Sequence, residues 1–366
     1  LIRRIPSPTE VDRWLDSRRE SVAPGVAQRA RLIGRLSGEG VVSGQELAAA
    51  LGVSRAAVHK HALALRGLGV GLRSAPGSGY RLSNVSDIVA SEVLLPFLSG
   101  SPTGLGMPLV YEPTLESTNT LAREAGRRGS PHGTLVVTDY QHAGKGRLGR
   151  EWVSEPGKDL TFSLLLRPDV PPELASRFTL AASTAVADAI STLGDLGSRV
   201  AIKWPNDVLV DGRKICGILS EASLDMDRLH WLVIGIGLNV NSSPEDGVSG
   251  FGLPPGALAP TSLRGCLGRP VPRAPLLVDL LERLEARWAE AAGGGWAAVL
   301  SRFRELDALI GKPVEVRLGS RTDAPPLAGI ARGLSPEGEL LVADADGAVR
   351  SVLSGDVTLR RAPTGS

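Results

Sequence analysis

The chain has 366 residues, more than one ordinary hydrophobic core organises, and suits two or three domains with one of enzyme size. Hydrophobic residues make up 42% and charged residues 22%, and no window offers the roughly 18 consecutive apolar residues of a membrane span, so a soluble globular protein without a membrane segment is expected. The 41 Lys and Arg against 39 Asp and Glu leave a net charge of +2, which identifies no partner until the charges are located along the chain.

Leu1 to Glu20 mix arginines, prolines and acids without an apolar stretch or small-residue cleavage site, so no signal peptide is read and a cytoplasmic address is expected. Residues 1–25 are treated as an extension to which no structure is assigned and for which disorder is allowed. From Val26 the pattern turns helical. Val26 to Leu36 has helical spacing, Ser43 and Glu46 stand in capping-box relation ahead of Leu47 and Leu51, and Gly52-Val53-Ser54 punctuates before a helix to about Leu68. Gly71-Leu72-Arg73 and Gly79-Tyr80-Arg81-Leu82 then flank Pro76-Gly77-Ser78, which predicts a hairpin.

Between Ser54 and Asn84 there is no Asp or Glu, whereas Arg55, Lys60, Arg66, Arg73 and Arg81 fall there with His59 and His61. In a helix-turn-helix the second helix enters the major groove by its N-terminal end, so Ser54, Arg55, His59 and Lys60 are the candidate base-reading positions. Arg73 and Arg81 of the hairpin would touch phosphates as a wing. A basic arm for protein docking is the alternative reading of the same residues.

Ser83 to Gly106 predicts a helix and then a linker, hence a domain boundary. Beyond it, strand-like runs at Leu135–Tyr140, Leu160–Leu166, Val208–Val210 and Leu232–Ile236 are separated by helical patterns such as Arg177–Leu193, which predicts a mixed α/β domain. Amphipathic helices are expected over Pro275–Glu290 and Trp296–Leu309. From Gly311 onward, short strands at Val314–Leu318, Ala328–Leu334, Leu340–Ala343 and Arg350–Leu353 with Gly and Pro turns suit a small terminal β-barrel. Cys216 and Cys266 stand far apart with no metal-ligand spacing, so two reduced thiols are expected, with no zinc site and no disulfide.

Three clusters carry chemistry. Gly144-Lys145-Gly146-Arg147-Leu148-Gly149 matches a dinucleotide-binding fingerprint letter for letter, but that fingerprint must open a helix, and here Pro156 and Gly157 lead on to another strand-like run. What remains is a glycine-rich loop whose Lys145, Arg147 and Arg150 can hold phosphates, as is needed when a carboxylate meets the α-phosphate of ATP and negative charge gathers. In Ile202-Lys203-Trp204-Pro205-Asn206-Asp207, Pro205 keeps Trp204 out of the α region, so Lys203 projects from an extended segment. Gly235-Ile236-Gly237-Leu238-Asn239-Val240-Asn241 allows close backbone approach to a flat ligand, with Asn239 as a hydrogen-bonding side chain.

These clusters, with Glu116-Ser117-Thr118-Asn119 before them and Lys214-Ile215-Cys216-Gly217-Ile218-Leu219-Ser220-Glu221 after the second, closely resemble biotin protein ligases from about Leu109 to Asn241. The flanks resemble the family's bifunctional bacterial members. The resemblance implies an α+β multidomain chain: a winged helix-turn-helix over 26–85, a catalytic domain of the biotinyl/lipoyl ligase type over 86–308 and an SH3-like barrel over 309–361. It implies that Ser117, Thr118 and Gln141 bind the ureido head of biotin, with the rings in an apolar slot beside Gly217 and Leu219 and with Asn119, Gly144, Lys145, Gly146, Arg147 and Lys203 also in contact with biotin. Gly144, Lys145, Gly146, Arg147 and Arg150 become the adenylate loop, with Arg147 on biotin carboxylate and phosphate and Trp152 near adenine. Lys203 becomes the main catalytic cation, while Asn206, Asp207 and Asn239 are lesser candidates for nucleotide contact. ATP and biotin are the implied substrates and Mg²⁺ comes with the nucleotide, Asp207 being a candidate contact and no protein cage being expected. Some members carry a further arginine where this chain has Leu148, so the loop is less cationic. Cys216 is assigned packing.

The implied partners are a biotin carboxyl carrier domain, operator DNA and a second copy joined in a ligand-promoted homodimer. Two alternatives are a ligase whose winged helix regulates nothing and a ligand-sensing transcription factor that transfers nothing. A lipoyl ligase would share the fold but recognises no ureido group.

Overall fold

The computed structural model describes residues 4–38, 40–75, 79–85, 87–243, 258–317 and 326–359. The predicted hairpin tip 76–78, Leu318 and residues 360–361 lie outside them.

The extension, to which the sequence assigned no structure, holds a helix. In α1 (Pro8–Asp16) Ser7 and Glu10 form a reciprocal capping box with Pro8 at the first helical position, and Val11 and Leu15 are fully buried. They pack on α2 (Pro24–Leu36) and on Leu95, and Asp12 chelates Arg35 of α2 at 3.0 and 2.6 Å. α3 (Gly44–Leu51) starts at Ser43, whose hydroxyl accepts the Glu46 amide at 3.1 Å, and ends at Gly52 in the left-handed region, where glycine carries no Cβ penalty. α4 (Arg55–Gly67) is capped by Ser54 in the same way, and β1 (Gly71–Ala75) pairs antiparallel with β2 (Gly79–Asn84). Helix, helix, turn, helix and wing all stand where the sequence put them.

α5 (Ser91–Leu98) is almost entirely buried and joins the head to the catalytic domain. That domain is built on a seven-stranded sheet of order β3-β4-β5-β9-β8-β7-β6. Its strands are β3 (Leu109–Leu115), β4 (Thr134–Gln141), β5 (Leu160–Leu166), β6 (Val200–Lys203), β7 (Asp207–Val210), β8 (Arg213–Leu224) and β9 (Leu229–Leu238). Among the described strand pairs of this sheet only β3 and β4 run parallel, which fits an α+β sheet rather than a doubly wound one. β5 is buried at every residue because helices cover both faces. α6 (Thr118–Arg127) lies on one side, over Val136, Leu165 and Trp231. α7 (Ala175–Ser191), whose alanines allow close approach, packs on the other side, beneath the later helix α9. α8 (Leu263–Leu267), α9 (Arg273–Ala292) and α10 (Trp296–Glu305) complete the domain.

The C-terminal sheet has order β13-β12-β11-β10-β14, built from β10 (Pro313–Arg317), β11 (Leu327–Leu334), β12 (Leu340–Ala343), β13 (Val349–Val352) and β14 (Asp356–Leu359). Two indoles fasten it to the catalytic domain: Trp204 Nε1 donates to the Gly338 carbonyl at 3.1 Å and Trp296 Nε1 to the Pro336 carbonyl at 2.7 Å. No helix among the described residues is long and apolar enough to cross a membrane.

Candidate active site

Strands β8 and β9 set Gly217 directly opposite Gly237, and the missing side chains leave a shelf on the sheet. The Trp152 indole lies on that shelf. A Cβ at Gly237 would overlap Trp152 Cε2, and one at Gly217 would stand 3.0 Å from Cζ3. Trp152 Nε1 is buried there without a hydrogen-bond partner among the described residues. A flat apolar slot that ends in an unanswered donor is suited to a ring-shaped ligand bearing an acceptor.

One end of the slot is polar. Gln141 Oε1 accepts from the Thr118 amide at 2.7 Å and from the Thr118 hydroxyl at 3.1 Å, while Ser163 Oγ stands 2.8 Å from Thr118 Oγ1 and 2.6 Å from Asn119 Oδ1. Asn119 Nδ2 donates to Glu221 at 2.9 Å, and Arg123 holds Glu221 at 2.7 Å. Ser117, Thr118, Asn119 and Gln141 are all buried and line one cleft, fixed by this chain of bonds before any ligand arrives.

The other end is cationic. The glycine loop is a small hairpin: Trp152 N bonds Gly144 O at 2.9 Å, Gly146 N bonds Arg150 O at 2.7 Å, and Leu148 adopts a positive φ of 56° at the tip. A Cβ at Gly144 would overlap the Trp152 carbonyl, so the base of the hairpin admits only glycine. The chain continues into β5 and not into a helix, which agrees with rejecting the dinucleotide fingerprint. Arg147 reaches inward, donating to Asn206 Oδ1 at 3.2 Å, and burial pulls its pKa below the usual arginine value. Arg150 pairs with Asp356 of β14, so the C-terminal barrel contributes to the wall. Lys145, also on the cleft wall, is engaged by Glu116 at 3.2 Å and donates to the Thr120 hydroxyl at 2.9 Å.

Lys203 ends β6 with only 6% of its surface exposed, and it lines the cleft. Burial lowers its pKa despite Asp207 and Asp356 nearby, and no described residue pairs with its ammonium. A buried ammonium without a carboxylate is a seat for an anion. Lys214, which sequence reasoning passed over inside a motif it had already marked, stands across the cleft. Its Nζ is 2.7 Å from Asp207 Oδ1 and 5.7 Å from the centre of the Trp152 ring. The Asp207 contact is an ion pair, and Oδ1 itself is buried. Alternation along β8 puts Lys214 on the opposite face from Ile215, a signal the sequence did contain.

Gly146, Arg150, Leu219 and Asn206 also line the cleft. Gly144 forms the hairpin base behind it. Asn239 is not brought in: its amide donates to Thr261 O at 2.9 Å and holds a loop. Cys216 is fully buried, which pushes its thiol well up, in keeping with packing, and Cys266 is likewise a free thiol. No described group of three or more His, Cys, Asp or Glu could cage a metal.

On the head, Ser54, Arg55, His59 and Lys60 are all exposed along the start of α4. Ser54 is committed to its cap, and Tyr80 OH of the wing stands 3.4 Å from His59 Nδ1. Arg73 and Arg81 face one another directly across β1 and β2, a like-charge pair that an anion between them would relieve.

Residues 111–239 match the model of the biotin/lipoate A/B protein ligase family, 29–81 that of an HTH domain and 309–360 that of the biotin protein ligase C-terminal domain. The chain is 35% identical over 327 residues to the bifunctional ligase/repressor BirA of Bacillus subtilis (strain 168), covering 88% of this chain and 95% of that protein. It is 31% identical to BirA of Escherichia coli (strain K12) over 334 residues, 91% of this chain and 97% of that protein. Among solved structures, the biotin protein ligase from Aquifex aeolicus in complex with biotin and ATP matches with a TM-score of 0.55 and 26% identity, covering 69% of this chain and 98% of that one. Helix-turn-helix, catalytic sheet and C-terminal barrel thus agree with the matches over most of the chain, which belongs to the biotin protein ligases that carry an N-terminal helix-turn-helix domain.

Proposed function

We propose that this protein joins biotin to ATP as biotinyl-5'-AMP and transfers the biotin to a lysine of a carboxyl carrier domain, such as that of acetyl-CoA carboxylase. The observation that carries this reading is the buried, unpaired Lys203 ammonium in one cleft with Arg147, Lys214 and the glycine shelf under Trp152. The bicyclic rings take the shelf as the Trp152 indole moves off it, and the ureido group meets Gln141, Thr118 and Ser117. The carboxylate then points at the cations. An oxygen of that carboxylate attacks the α-phosphorus, pyrophosphate leaves, and Lys203, Arg147 and Lys214 offset the gathered negative charge. The unprotonated acceptor amine next attacks the acyl carbon and AMP departs, so no covalent bond to the enzyme forms. Mg²⁺ carried with the triphosphate would supply charge neutralisation at the leaving group, and Asp207, whose Oδ1 is ion-paired with Lys214 at 2.7 Å, is the carboxylate on the cleft wall that would contact it.

The same protein binds operator DNA through α4 and the wing, as a homodimer formed when the adenylate is held. Supporting the dimer, β7 spans only Asp207–Val210, so β8 beyond Ile218 has no strand on that side among the described residues and offers an edge to a second copy. Both partners place the work in the cytoplasm. Labelled-pyrophosphate exchange into ATP tests the enzyme reading. Exchange should require biotin and should not be supported by lipoate; exchange with lipoate alone would reassign the acyl substrate.

A further inference from the structure

Two arms leave the cleft and meet at one buried guanidinium. The first runs from Trp152 through Glu155 and Gly157 to Asp159; the second runs from Gly237 through Val240 to Ser242. Arg273, at the start of α9 with a side chain 4% exposed, donates Nη1 to the Asp159 carbonyl at 3.0 Å and to Asp139 Oδ1 at 2.9 Å. The Asp159 carboxylate in turn accepts the Val240 amide at 2.9 Å, the Ser242 hydroxyl at 2.6 Å and the Glu155 amide at 3.1 Å. Gly157 N bonds the Asp139 carbonyl at 3.0 Å.

The far side of the same guanidinium holds the head. Arg273 Nη2 donates to the Asp87 carbonyl at 2.6 Å and Nε to Asp87 Oδ1 at 3.2 Å, while Asn241 Nδ2 reaches that carboxylate oxygen at 3.2 Å. Asp87 sits in the short connection between the wing strand β2 and α5, the stretch of chain that carries the helix-turn-helix.

We propose that the Arg273 centre couples occupancy of the cleft to the setting of the DNA-reading head, with Asp87 the positioning residue on the head side. The proposal rests on the reading of the cleft as a biotin and nucleotide site. A buried arginine admits few arrangements, because each donor that loses its acceptor leaves a charge uncompensated. A shift of Glu155–Asp159 or of Val240–Ser242 as Trp152 moves over a ligand therefore has to be matched at Asp87. Asp87→Ala removes the carboxylate that Arg273 Nε and Asn241 Nδ2 both reach and leaves only the backbone carbonyl on Arg273 Nη2, so it weakens this link to the head and leaves the cleft as it was.

Hydrogen exchange of the whole chain, with and without biotin plus ATP, tests this in the wild type and in Asp87→Ala. Asp87 touches nothing in the cleft, and its side chain is 43% exposed, so the variant should fold and make adenylate at the wild-type rate. In the wild type, ligand should slow exchange both in 144–159 and in 87–98. In Asp87→Ala the response in 144–159 should persist while that in 87–98 falls about tenfold, the size of an ordinary coupling between sites. Asp87→Glu, which can still accept from Arg273, should restore part of it. An undiminished response in 87–98 of Asp87→Ala, or none there in the wild type although the cleft responds, overturns the proposal. No response in the cleft and no adenylate would instead overturn the ligase reading, and this proposal with it.

Discussion

Lys214 and Asp207 face one another from neighbouring strands with Nζ 2.7 Å from Oδ1, and the same ammonium stands over the Trp152 ring at 5.7 Å. The charge is thus held at the mouth of the slot, beside the ring that covers it. Lys214→Ala should slow adenylate formation by about 10²- to 10³-fold, the usual loss for one preorganised charge-stabilising group. Pyrophosphate exchange checks this, with unchanged circular dichroism showing that the fold survives. Lys203→Ala should lose a comparable factor; wild-type exchange in both variants would remove the cationic pair from the mechanism.

The pH response of Lys203 has a fixed sign. Burial lowers its pKa from 10.5, so between the folded and unfolded values the unfolded chain binds more protons and stability rises with pH. Adenylate formation should run the other way, falling as the ammonium loses its proton at a pH below the ordinary lysine range. Denaturant titrations and exchange rates over that alkaline window should show the two opposite slopes, and Lys203→Met should abolish both contributions.

Gly237→Ala puts a methyl where Trp152 Cε2 lies. The methyl also takes space on the shelf that the bicyclic rings would use, and a displacement of about 1 Å costs on the order of 10²-fold in a preorganised site. The loss should appear in kcat/KM for biotin, with a change in tryptophan emission, while thermal stability stays near wild type.

On the DNA side, Arg73→Ala with Arg81→Ala should weaken operator and random duplex alike. The slope of log affinity against log salt should fall by about 2, one phosphate per arginine. Arg55→Ala with Lys60→Ala should instead narrow the gap between operator and random duplex. Fluorescence anisotropy across a salt series separates the two.

Helix α1 should matter for stability and not for chemistry. Leu15 is 1% exposed in a small apolar cluster with Val11, Val22, Ala30 and Leu95, so Leu15→Ala should cost about 2–5 kcal/mol in the unfolding of the head while leaving adenylate formation unchanged. Chemical denaturation followed beside the exchange assay checks both halves.

Much of this was legible in the residues, and the gaps have physical causes. β5 and β12 run over the residues their apolar patterns mark, and the helix-turn-helix declared itself through Ser43, Ser54 and Gly52. β3 was missed because Pro113 interrupts its pattern, and β8 because Gly217, Ser220 and Glu221 break its apolar run. α1 escaped notice although Ser7-Pro8-Thr9-Glu10 carries a helix-start signature, since nine residues offer only two fully buried side chains. In the cleft, the glycine loop was readable from local chemistry, and the polar residues at the other end only from the family resemblance. Ser163 and Asp356 were not, because each reaches the site through sheet or domain packing that no local pattern encodes.

The most direct measurement is the mass of a carboxyl carrier domain incubated with this protein, biotin, ATP and Mg²⁺. A single biotin increment on its acceptor lysine, absent without ATP and strongly reduced with Arg147→Ala, is the outcome the account predicts. An unmodified carrier beside a folded, biotin-saturated protein would contradict it.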